Sequence, residues 1–114
     1  MSYKGTIIEE SLQDNRIIND FTITNVRISS ADKPEDRWHL YSVELNDNQI
    51  DDFMRQLKPS GWYAHFWNET NIIAIFPNKK FIMSRFDKNT WNDAIQYGLR
   101  IGIPAEQLDF LIDE

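Results

Sequence analysis

The sequence predicts a single α+β domain built on a mostly antiparallel sheet, with two main helices on one face. Three observations carry this reading. The chain has 114 residues, the size of one ordinary domain. Its apolar residues alternate with period two in several short stretches. In two longer stretches they recur at helical spacing, on one side of the helix only.

In chain order, Gly5 to Glu10 reads as a strand, and Leu12, Ile17 and Ile18 suggest a short helix over Ser11 to Asn19. Phe21 and Ile23, then Val26 and Ile28, mark a strand whose alternation slips once, as a bulge makes it slip. A polar loop from Ser29 to Asp36 follows, too short to divide domains. Tyr41, Val43 and Leu45 then alternate with Leu40, Ser42 and Glu44 as a half-buried strand.

Ile50, Phe53, Met54 and Leu57 fall at i, i+3, i+4 and i+7, so Asp47 to Leu57 is a helix capped by Asn46 or Asp47 and stopped at Pro59-Ser60-Gly61. Strands are expected at Trp62 to Trp67, Ile72 to Phe76 and Lys80 to Arg85, the last two joined tightly around Pro77-Asn78-Lys79. A second helix begins at Asp87 or Asn89, carries Trp91, Ala94, Ile95 and Gly98 on one face, and ends at Gly102. Pro104 opens a short final helix ending in Asp113 and Glu114. The first six elements follow the split βαβ order of ferredoxin-like folds, extended by a C-terminal hairpin and helices.

Composition excludes several function classes. With 41% hydrophobic, 13% aromatic and 26% charged residues the chain is a core-former, not a disordered segment. Twelve basic against eighteen acidic residues leave a net charge of −6, which repels nucleic acid and anionic membrane, so neither is expected as a partner. The absence of cysteine removes disulfides, thiolate nucleophiles and sulfur-ligated metals. The first ten residues read as neither signal peptide nor membrane span, and the cytoplasm is the expected setting. Asn68-Glu69-Thr70 matches a glycosylation sequon and is read as a polar turn.

The densest chemistry lies in Gly61-Trp62-Tyr63-Ala64-His65-Phe66-Trp67-Asn68. On a strand, Trp62, Ala64 and Phe66 face one way and Tyr63, His65 and Trp67 the other. The first set suits a core under a helix. The second, joined by Trp38, Leu40 and Ser42, lines the remaining face, and Trp38, Tyr63, His65 and Trp67 are the candidate binding residues. Such a stripe can stack a flat ligand, dock a partner chain or close a homodimer. The alternative is that the C-terminal segment folds back over it.

No catalytic residue, metal or cofactor is assigned. His39 and His65 lack metal-ligand spacing; Glu44 or another carboxylate would have to complete a site between them. No serine sits in a nucleophile motif, and the glycines form no phosphate loop. Glu9 and Glu10, adjacent on a strand, are expected on opposite faces. An enzyme acting on a small metabolite would instead group His65 with Asp109 and Glu9 or Glu44 as acid and base.

Three stretches, Lys4 to Leu12, Trp62 to Asn68 and Tyr97 to Phe110, resemble a family of small stand-alone prokaryotic proteins with Trp-Tyr-Ala-x-Phe and Gly-Ile-Pro-x-Glu-Gln-Leu-Asp-Phe motifs and no established biochemical function. In that family the middle motif usually carries Asp where this chain has His65. The resemblance implies a cytoplasmic, prokaryotic protein and carries over no site residues. The expected function is therefore a non-enzymatic binding or interaction module.

Overall fold

A computed structural model describes residues 2–112. Six strands form one sheet: β1 (Ser2–Ile8), β2 (Thr22–Ile28), β3 (His39–Asn46), β4 (Ala64–Trp67), β5 (Asn71–Phe76) and β6 (Lys79–Ser84), with helices α1 (Asp47–Gln56) and α2 (Asn92–Arg100). The spatial order is β2-β3-β1-β4-β5-β6, and every neighbouring pair is antiparallel. β1 and β2 therefore run parallel on either side of β3, the arrangement a split βαβ unit requires. The first crossover holds no α-helix, only 3-10 turns at Glu9–Ser11 and Asn15–Asp20. The expected bulge in β2 appears as a register shift between Ile23 and Asn25.

The helices do not share a face, which corrects the sequence reading. Helix α1 begins with a capping box, in which Gln49 N–H donates to Asn46 Oδ1 at 2.9 Å and Asn46 N–H to Gln49 Oε1 at 2.8 Å. It buries Ile50, Phe53 and, beyond its end, Leu57 against Tyr3, Ile7, Val43, Leu45, Phe66, Ile73 and Ile75. Helix α2 packs on the opposite face, where Trp91 and Ala94 meet Trp67, Ile72, Ala74, Phe76 and Met83. Strand β5 supplies both cores, with Ile73 and Ile75 to one and Ile72, Ala74 and Phe76 to the other. A strand buried on both faces reads as a continuous apolar run, and Ile72 to Phe76 is one. That run was the signal for helices on two sides.

Two glycines set close approaches. A Cβ on Gly5 would lie 2.4 Å from the Phe66 ring, so β1 and β4 meet at this distance only because residue 5 has no side chain. A Cβ on Gly98 would lie 2.7 Å from Leu108 and 3.3 Å from Phe76, which lets α2 rest on β5. Gly102 takes φ +95 after α2, the left-handed stop the sequence called for. The chain then makes one 3-10 turn at Ala105–Gln107 in place of the final helix, whose expected end at Asp113 and Glu114 lies outside the described residues.

Candidate functional site

Among the described residues, the C-terminal segment covers only part of the α2 face. Phe110, 1% exposed, sets its ring edge-on to Tyr63, His65 and Trp91, at 6.1, 5.9 and 5.7 Å between centroids. It does so from φ +46, a conformation disfavoured for a bulky residue and held here by the ring's burial. His65 Nε2 lies 2.7 Å from the Leu111 carbonyl. That oxygen only accepts, so Nε2 carries the proton and donates. Burial lowers the His65 pKa, against the opposing effects of the Leu111 carbonyl and Asp109, and favours the neutral ring. Burial, reinforced by Asp109, pushes the Tyr63 hydroxyl up to about 12.

Beyond this cover lies the half of the face formed by β2, β3 and β1. Strand register arranges its outward side chains in three rows. Thr22 stands opposite Glu44, Glu44 opposite Lys4, and Lys4 opposite Trp67. The next row is Asn25, Ser42 and Thr6, and the third is Arg27, Leu40 and Ile8. The surface thus grades from charged, through hydroxyl and amide, to mostly apolar.

Three cavities lie over it. One of 270 Å³ is lined by Lys4, Thr6, Thr24, Ser42, Glu44 and Trp67 among others. A second of 260 Å³ lies between Ser2, Lys4, Glu44, Trp67, Asn68 and Glu69. A third of 370 Å³ runs past Ile8, Leu40, Tyr63, His65, Trp67 and Leu111. Trp67 borders all three, so they form one trough with the indole as its inner wall. Trp67 is 6% exposed, and its Nε1, with Asn68 Nδ2, is a buried donor without an acceptor among the described residues.

Of the candidate binding residues, Tyr63, His65 and Trp67 come together as this wall and its far end. Trp38 does not join them. It precedes β3 and packs edge-on against Trp62 at 5.3 Å, and Trp62 sits against the α1 core. Leu40 and Ser42 do lie on the trough floor, as their phase required.

The two histidines are kept apart. His39 lies with Glu9 and Glu10 in a cluster whose ligand atoms all fall within 4.8 Å of one another. His39 Nδ1 pairs with Glu10 Oε2 at 2.7 Å, its backbone N–H donates to Glu10 Oε1 at 2.9 Å, and Tyr41 Oη donates to Glu9 Oε1 at 2.7 Å. The expected separation of Glu9 and Glu10 across a strand is corrected: β1 ends at Ile8, and the 3-10 turn swings both carboxylates toward β3. The hydrogen bond between His39 and Glu10 raises the His39 pKa. Among the described residues this is the His and carboxylate group close enough to share a cation. Its members already satisfy one another and clasp β1 to β3. Glu9 thus stands with His39 and Tyr41 and does not join His65, while Asp109 does act on His65.

Sequence reasoning missed Lys4 and Asn68. Starting β1 at Gly5 dropped Lys4, although Lys4, Thr6 and Ile8 alternate with Tyr3, Gly5 and Ile7 as a half-buried strand should. Asn68 was read only as a turn residue, and its Oδ1 does accept from the N–H of Thr70 and Asn71. No family model matches the chain, and neither the curated proteins nor the solved structures searched contain a match for it.

Proposed function

We propose that this protein is a non-catalytic binding module that holds a small ligand in the trough of the α2 face. The observation that carries the reading is the half-covered face: aromatic side chains that could have formed a flat exposed patch instead wall a concave surface. Its cavities, 260, 270 and 370 Å³, share Trp67 and approach the size range of small-molecule sites. Binding is favoured over acid–base chemistry because His65 commits its proton to a backbone carbonyl. A cytoplasmic setting belongs to the same proposal. Among the described residues no helix is long and apolar enough to cross a membrane.

A ¹⁵N–¹H correlation titration tests it, using a panel of carboxylic acids, amines, sugars, nucleosides and amino acids. The expected result is a compound that moves the Thr6, Ser42 and Glu44 amides and the Trp67 indole together. Shifts confined to other regions, or none from any compound, would reject the trough.

A second reading, self-association, is favoured by β2. Every residue of this edge strand is exposed, including Ile23, Val26 and Ile28. Sedimentation velocity distinguishes it: a dimer lost on Val26→Lys supports an interface there, and a monomer at all concentrations removes it.

A further inference from the structure

We infer that the ligand of the trough is a small zwitterion, specifically a free amino acid with an apolar side chain. This rests on the reading of the trough as a ligand site and names its occupant. The first observation is the charged row. Lys4 and Glu44 are direct cross-strand partners, the geometry in which opposite charges usually meet. Yet neither makes an ion pair with the other or with any described residue. Both line the 270 Å³ cavity and the 260 Å³ cavity beside it. One cation and one anion are thus held side by side and left available.

The second observation is independent. Trp67 Nε1 and Asn68 Nδ2 are buried donors without acceptors among the described residues, and buried polar groups in folded proteins are almost always satisfied. The two residues that carry them line the 260 Å³ cavity together with Lys4. Lys4, the cation beside these two residues, calls for a carboxylate. Glu44, with Glu69 on the same cavity, calls for an ammonium. These two acids disfavour a phosphate or other multiply charged anion, and Lys4 disfavours a metal cation. A neutral sugar would leave both members of the charged row without partners.

The third observation sets the side chain. From the charged row, the trough runs past Thr6 and Ser42 to Ile8 and Leu40, with Trp67 alongside and Arg27 on the β2 side of that last row. Successive outward residues on a strand are about 6.6 Å apart, so a leucine or phenylalanine side chain reaches across the hydroxyl row to the edge of the apolar one. A free amino acid supplies both charges on one carbon and an apolar group beyond them. An internal peptide residue has neither charge.

The experiment titrates the ¹⁵N-labelled protein with L-leucine, L-phenylalanine, N-acetyl-L-phenylalanine and L-phenylalanine methyl ester. The expected result is that the free amino acids shift Thr6, Ser42, Glu44 and the Trp67 indole, and that each blocked analogue binds at least about tenfold more weakly. Lys4→Met and Glu44→Gln, at outward-facing positions, leave the fold intact by melting temperature and supply a cycle. Lys4→Met weakens phenylalanine about tenfold but not the methyl ester, and Glu44→Gln weakens phenylalanine but not the N-acetyl analogue. Equal binding of free and blocked compounds would overturn the zwitterion. So would the absence of shifts with both amino acids while a sugar, nucleoside or simple acid moves the same resonances; the trough would then stand as a site for another class. If nothing moves them, both readings fall.

Discussion

Gly5→Ala probes the contact that places Lys4 beside Trp67. Among the described residues, β1 and β4 are in register at two pairs, Lys4 with Trp67 and Gly5 with Phe66. A Cβ at residue 5 would stand 2.4 Å from Phe66 Cδ1 and 2.9 Å from the His65 carbonyl oxygen, and Phe66 is fully buried between Gly5 and Phe53. The ring has no free direction in which to retreat, so the strands must part. Overpacking a core costs about 1–3 kcal/mol, and so deep an overlap belongs near the top of that range. Alanine gains about 0.5–1 kcal/mol over glycine from chain entropy, leaving a net loss of about 2 kcal/mol. At ~2.1 cal/mol/K per residue, 114 residues have an unfolding entropy of ~0.24 kcal/mol/K, so the melting temperature should fall by about 8 °C. Calorimetry on wild type, Gly5→Ala, Phe66→Leu and the double variant provides the assay. Phe66→Leu should cost less in the Gly5→Ala background, because the smaller side chain relieves the overlap. A Gly5→Ala protein that melts at or above the wild-type temperature would show that β1 and β4 are not in this register.

Phe53 is fully buried and its ring meets Phe66 at 5.3 Å, so Phe53→Ala should cost about 3–5 kcal/mol by denaturant unfolding, and an unchanged midpoint would mean α1 presents another face. Trp67 is 6% exposed, so Trp67→Ser should destabilise by a similar ~3–5 kcal/mol with no change in sedimentation; a stable variant with altered association would place the indole at an interface instead. The histidines should shape pH dependence in opposite senses. Burial lowers the His65 pKa, so the unfolded chain takes up this proton first; the associated stability is complete above about 6.5 and is lost as pH falls through and below that value. The Glu10 hydrogen bond raises the His39 pKa, so its contribution is complete below about 6.5 and is lost as pH rises through the folded value. Melting curves from about pH 5 to 8 should therefore flatten below about 6.5 for His65→Gln and lose their decline above about 6.5 for His39→Gln, and identical profiles for both variants would contradict these surroundings.

Much of the fold was legible because it is written in local periodicity. The stripe of Ile50, Phe53, Met54 and Leu57 specified α1, and Tyr41, Val43 and Leu45 specified the buried side of β3, whatever the rest of the chain did. Strand and helix order followed, and with it the split βαβ arrangement. The phase of Tyr63, His65 and Trp67 against Ala64 and Phe66 was also readable, since alternation depends only on backbone geometry. What alternation cannot say is which body covers a face. The placement of α2 opposite α1, the exclusion of Trp38 and the meeting of Glu9, Glu10 and His39 each depend on where a strand ends or a crossover lands. Ending β1 at Ile8, two residues before the expected Glu10, turned two expected opposite-facing acids into a clasp.

The trough itself joins Lys4, Ser42, Glu44 and Trp67, residues up to 63 positions apart that are neighbours only through cross-strand register. The sequence by itself determined which residues could share a face, because period-two alternation is a property of each strand alone. Tertiary structure decided which faces stay open, because covering them depends on long-range packing: Gly5 admits Phe66, Gly98 admits Leu108, and Phe110 seals Tyr63 and His65 while leaving the floor of β1 and β3 uncovered.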